Sequence, residues 1–173
     1  MAKNQIYKTW RQDDPRYNER EAWPEASFPE AAYHYFHEAG CLVCSLAILL
    51  RHHDIEKEAD EEKFNPWILN ERLIACGAFD AAADLVLNRV SRLYPLDYCG
   101  TVPYAGKALE EIVQTEALCL ITVPGVLGVR HFIMLDHLLD NDAAVIDPAK
   151  GNRYLSDYET VKDIRVFRRS GSS

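Results

Sequence analysis

Apolar residues recur at helical spacing only in the first two-thirds of this 173-residue chain, and strand-like runs appear only in the last third. Strands and helices therefore do not alternate, and without that alternation the crossover units of a parallel sheet cannot be built. The pattern points to an α+β domain with an antiparallel sheet. From Gly40 onward, Leu42, Leu46, Leu49 and Leu50 mark one strongly apolar helix, which ends at Arg51, His52 and His53, read as cations suited to a helix C-terminus. Asn65 followed by Pro66 starts a second helix through Leu69, Leu73 and Ile74 that stops at Gly77. Asp80 is expected to cap a third helix through Leu85, Val86 and Val90, closed by Pro95, and a fourth covers Tyr104 to Thr115. Strands are expected at 117–123, 130–138, 143–146 and 161–167, separated by turn signals at Pro124-Gly125, at Asp140-Asn141-Asp142 and from Pro148 to Asn152. Residues 1–30, with Pro15, Pro24 and Pro29, read as an irregular arm, and the charge run 54–63 as a solvated loop or helix face.

With 48% hydrophobic and 27% charged residues, the chain has the balance of a globular protein. A chain of this length buries roughly 70% of its unfolded surface, so one domain spanning 1–173 needs neither metal nor disulfide to hold it. The segments divide into the arm 1–30, a mainly helical part 31–116 and a mainly stranded part 117–168. The net charge of -8 has the wrong sign for neutralising phosphates, so no nucleic-acid partner is expected. No apolar run follows Lys3 and Lys8, and none reaches the roughly 20 residues of a bilayer span, so neither a secretory signal nor a membrane span is expected. Five cysteines, an odd number, suit reduced thiols in a cytoplasmic protein.

The chemistry concentrates on Cys41. It follows Gly40 and opens the apolar helix, where the macrodipole and unpaired N–H groups favour a thiolate nucleophile. A base is at hand in His131, which opens a strand of strong β character. If that strand pairs with 143–146 as a hairpin about Asp140 to Asp142, His131 and Asp147 meet at one end, and the carboxylate fixes the imidazole. Asp136 competes for this role but lies five residues along the same strand, on the opposite face. Cys44 reads as core three residues along the helix, because no second ligand pair supports a zinc site and no βαβ unit supports a redox motif. Cys76, Cys99 and Cys119 read as packing residues.

Gly40-Cys41 with the following Ser-Leu-Ala-Ile-Leu-Leu, Asn65-Pro66 with Leu69, Asn70, Leu73 and Gly77-Ala78-Phe79, then His131-Phe132 and Asp147-Pro148-Ala149-Lys150-Gly151 together resemble the papain-like cysteine peptidases of the double-glycine-leader, bacteriocin-processing type. The likeness is to their freestanding bacterial and phage members and covers roughly residues 38–168. It implies a papain-like fold, a helical lobe carrying Cys41 packed on a sheet carrying His131. It also implies Cys41 as nucleophile, His131 as base and Asp147 as orienting acid, with no cofactor. The implied activity is cleavage of a peptide or amide substrate. A catalytically degenerate binding module and an acyltransferase of transglutaminase type are the alternatives. One departure stands out: the glutamine expected about six residues before the nucleophile is replaced by Tyr35, and the nearest upstream glutamine is Gln12. Tyr35, His34 or His37 could donate to the oxyanion instead, beside the Cys41 N–H.

Overall fold

The computed structural model describes residues 3–24 and 27–171. Its first regular helices are the single turn α1 (Phe36–Ala39) and α2 (Cys41–His52), separated by Gly40. Almost all of α2 is buried, from Val43 through Arg51. Each large apolar side chain so enclosed contributes about 1.5–3 kcal/mol, so the helix must be covered on all sides. Helix α3 (Pro66–Ala75) begins as expected, the Asn65 side chain accepting from the Ile68 N–H at 3.1 Å with Pro66 in the first turn. The fourth expected helix is present as α4 (Gly106–Gln114).

Six strands form one antiparallel sheet: β1 (Leu96–Pro103), β2 (Leu118–Pro124), β3 (Arg130–Leu138), β4 (Ala143–Asp147), β5 (Gly151–Tyr154) and β6 (Asp163–Arg169), in the order β1-β6-β2-β3-β4-β5. Both faces are covered. Leu118, Leu120, Met134, Ile146 and Phe167 pack towards α2, α3 and the N-terminal arm. Cys119, Ile121, Val123, Ile133, Val145 and Ile164 pack with Leu109 of α4, backed by Ile112 and Val113. Double coverage explains why β2 reads as a continuous apolar run rather than an alternation.

Four expectations are corrected. No α-helix starts at Asp80, because its carboxylate accepts from the N–H groups of Ala82 and Asp84 and closes a tight loop in which Ala83 takes φ 61°. Only a 3-10 helix, Leu87–Arg92, follows. Strands β1 and β5 add to the expected set: β1 carries Gly100 and Pro103, and β5 begins at Gly151, inside the segment expected to turn from Pro148 to Asn152. Both are edge strands formed by tertiary pairing, and β1 lies within the segment 31–116 read as mainly helical. The arm contains a 3-10 helix, Lys3–Thr9, and buries Tyr7, Trp10, Tyr17 and Trp23 in the core over α2. Finally, His52 and His53 are not C-terminal cations. Burial drives both below the ordinary 6.5, His53 to about 4 with His52 and Arg169 adding to the effect. Uncharged, the His52 ring links Tyr7 Oη to Nδ1 (3.0 Å) and Asp136 Oδ1 to Nε2 (3.2 Å).

Gly40 is a steric requirement of the α1–α2 junction. A Cβ there would sit 2.5 Å from the Phe36 carbonyl oxygen and 2.6 Å from its ring. Because Phe36 is fully buried, Gly40→Ala is expected to destabilise the fold by about 1–3 kcal/mol. Urea unfolding of the variant checks this, and an unchanged midpoint would show that Phe36 relaxes freely.

Candidate active site

Helix α2 has its N-terminus at the end of the sheet where β3 begins. The two are pinned one turn below Cys41, where the buried Ser45 Oγ donates to the Phe132 carbonyl at 2.7 Å. Cys41 is the first residue of α2 and half-buried, whereas Cys44 is enclosed. The Cys41 N–H donates to no backbone acceptor outside its helix among the described residues, as befits a first-turn amide.

The β3–β4 hairpin forms with Met134 opposite Ile146, which sets Asp147 level with Ile133, two residues from His131 on the same face. His131 Nε2 and Asp147 Oδ1 are 2.7 Å apart, the imidazole 14% exposed and the carboxylate fully buried. Asp147 is also held by donors that sequence spacing did not single out. Tyr158 Oη donates to Oδ2 at 2.6 Å, and the N–H groups of Ala149 and Lys150 donate to Oδ1 at 2.7 and 3.2 Å. The Asp147-Pro148 pair is thus both a turn former and an anion site. Tyr158 carries no local signal, since its role depends on the chain returning after β5.

These contacts set the charges. Burial opposes ionisation of Asp147, but the hydrogen bonds from His131 and Tyr158 outweigh it and hold the acid at about 2. For His131 burial likewise favours the neutral ring, yet the bond to Asp147 and the adjacent Cys41 side chain raise it to about 9. With Nε2 committed to Asp147, Nδ1 is the ring nitrogen left to exchange a proton with the thiol. The imidazole thus has the Asp147 carboxylate on one side and the Cys41 side chain as its other neighbour, an arrangement that allows a proton to pass between ring and thiol.

Asp136 is excluded from this line. It extends to Lys8 Nζ (3.5 Å) and His52 Nε2 (3.2 Å), at the other end of α2. Tyr35 does not join the site: it caps α1, stands 45% exposed, and stacks on His37 with ring centroids 6.0 Å apart. His37 is itself committed, its Nδ1 lying 2.9 Å from the Asn18 carbonyl. A cleft of about 500 Å³ opens beside Cys41, lined by Trp23, Tyr33, Phe79, Leu85 and Arg130 among others. Among the described residues no group of three or more His, Cys, Asp or Glu side chains is placed to hold a metal ion. No described helix is long and apolar enough to cross a membrane.

The shifts predict a pH window. The His131 ring is raised from 6.5 to about 9, so its stabilising contribution is complete below pH 6.5 and is lost as the pH rises through about 9. Asp147 is lowered from 3.8 to about 2, so its contribution is present above pH 3.8 and is lost as the pH falls towards 2. His53, lowered from 6.5 to about 4, subtracts stability as the pH falls between those values. NMR titration of the imidazole should find His131 charged at neutral pH, and Asp147→Asn should bring its midpoint down; a wild-type ring already neutral at pH 7 would contradict the ion pair. No family model matches this sequence, and no curated protein sequence matches it.

Proposed function

We propose that the protein is a cysteine peptidase or amidase built on the papain-like plan, with Cys41 as nucleophile, His131 as acid and base, and Asp147 as the group that orients the imidazole. One observation carries this reading: the imidazole is held between the Asp147 carboxylate, 2.7 Å from Nε2, and the Cys41 side chain at the start of α2. The likeness of the Gly-Cys, His-Phe and Asp-Pro segments to double-glycine-leader peptidases supports it. So does the architecture, in which the helix bearing the thiol abuts an antiparallel sheet bearing the other two groups.

In this mechanism the Cys41 sulfur, its proton held on His131 Nδ1, adds to the substrate carbonyl carbon. The carbonyl electron pair moves onto oxygen, beside the Cys41 N–H. Collapse breaks the C–N bond as the imidazolium gives its proton to the leaving amine, and a thioester remains. The neutral ring then takes a proton from water, whose oxygen attacks the thioester and releases the acid and the thiolate. Asp147 holds the ring throughout and does not itself change protonation. All five cysteines are free thiols, which suits a reducing compartment.

Iodoacetamide at neutral pH should modify Cys41 before Cys99, even though Cys99 is the exposed cysteine and Cys41 only partly so. Peptide mapping after limited alkylation reads the order, and earlier loss of Cys99 would refute an activated Cys41. For hydrolysis of a peptide pool, followed as new N-termini by mass spectrometry, Cys41→Ala should abolish turnover. Asp147→Asn, which retains an acceptor oxygen for the ring, should keep more activity than Asp147→Ala. Asp136→Asn should lower stability through the Lys8 and His52 contacts and leave the rate per folded molecule unchanged. Amide products in place of acids when a primary amine is added would identify acyl transfer instead, and labelling without turnover would identify a binding module.

A further inference from the structure

We propose that Tyr158 is a positioning residue of the reaction: by donating to Asp147 Oδ2 it limits how firmly the carboxylate holds the His131 proton, so that the ring can pass a proton to the leaving amine. The inference rests on the reading of Cys41, His131 and Asp147 as one reacting group.

The four donors to Asp147 are unevenly shared. Oδ1 receives His131 Nε2 at 2.7 Å and the N–H groups of Ala149 and Lys150 at 2.7 and 3.2 Å. Oδ2 receives Tyr158 Oη alone among the described residues, at 2.6 Å. Because the carboxylate is fully buried, removing the phenol hydroxyl would leave Oδ2 an anionic oxygen with neither water nor a donor beside it. That cost falls unequally on the two states of the ring. While His131 is an imidazolium, its positive charge offsets the carboxylate. Once Nδ1 has given up its proton the offset is gone, and the whole negative charge rests on the hydrogen bonds. The Tyr158 bond is therefore stronger in the second state than in the first, and it favours release of the proton.

The phenol is suited to this role. Burial and the adjacent carboxylate push its ionisation above the ordinary 10, so it donates without surrendering its own proton. The turn that carries it is pinned: the Tyr154 N–H donates to Asp157 Oδ2 at 2.9 Å, and the Ser156 N–H to Asp142 Oδ1 at 3.0 Å. Of the charged groups around Tyr158, Lys150 has its Nζ 5.8 Å from the ring centre, and Arg153 and Asp157 act on the hydroxyl with opposite signs. The His131 ring is faced by Asp147 and Cys41.

In the step concerned, the Nδ1–H bond of the imidazolium breaks, its proton goes to the leaving nitrogen as the C–N bond breaks, and the proton on Nε2 stays with the ring, bonded to Asp147. Two measurements on the full chain test the assignment. NMR titration should place the His131 midpoint about one pH unit higher in Tyr158→Phe than in wild type, where it stands at about 9. 3-Fluorotyrosine at position 158, a stronger donor with no atom removed from the bond, should lower it, and this arm decides the matter if Tyr158→Phe fails to fold. The second measurement compares leaving groups. From p-nitrophenyl acetate, p-nitrophenolate leaves without a proton as Cys41 is acetylated, whereas an amine leaves a peptide only with one. In Tyr158→Phe the ratio of peptide cleavage to Cys41 acetylation should therefore fall about fivefold. An unmoved midpoint, or equal slowing of both reactions, would overturn the proposal and leave Tyr158 a structural support. Wild-type Cys41 acetylated no faster than Cys99 would instead sink the nucleophile reading, and Tyr158's part in the reaction with it, whatever the midpoints.

Discussion

Helix α2 has almost no side to give to water, and the rest of the architecture follows from enclosing it. Strand β3 covers one flank, where Ser45 is bonded to the Phe132 carbonyl. Helix α3, the aromatic arm through Trp10 and Tyr17, and Phe36 of α1 cover the others. A helix so enclosed can meet solvent only at its ends. At the N-terminal end, where backbone amides are necessarily unpaired, the chain places its one partly exposed helix cysteine. The position of Cys41 is thus a by-product of the core: the packing that stabilises the protein also sets this thiol beside the cleft.

The second constraint is electrostatic. A fully buried carboxylate is tolerated only when its lone pairs are taken up, and Asp147 receives Tyr158, His131 and two backbone amides. Those donors fix the carboxylate, and the carboxylate in turn fixes the ring and keeps it protonated. Removing one partner therefore disturbs more than one bond, because the others must rearrange around an uncompensated charge.

The N-terminal arm unites these two constraints. At one end Tyr7 and Lys8 meet His52 and Asp136, locking the C-terminus of α2 to the bulge of β3. At the other, Arg11 and Gln12 reach the 147–151 loop and the carbonyl of His37. A segment that reads as an irregular lead-in is in this way a strap across both ends of the central helix.

The sequence by itself determined what depends on local pattern. Helix α2 follows from its apolar spacing, the start of α3 from Asn65-Pro66, and β2, β3, β4 and β6 from β-rich runs bounded by turns. The pairing of His131 with Asp147 was legible because a tight hairpin fixes register, and register fixes which side chains meet. Tertiary structure alone decided the rest. Strands β1 and β5 exist because a neighbouring edge pairs with residues whose own preference is to turn. The Asp80 side chain captured backbone amides that a helix would have used. His52 and His53 lost their charge to burial, which no motif records. Tyr158 reaches Asp147 across 11 positions, and Gln12 reaches the His37 carbonyl across 25. Contacts of that range are set by how the chain returns upon itself, and a linear pattern with periods of two or 3.6 residues contains no trace of them.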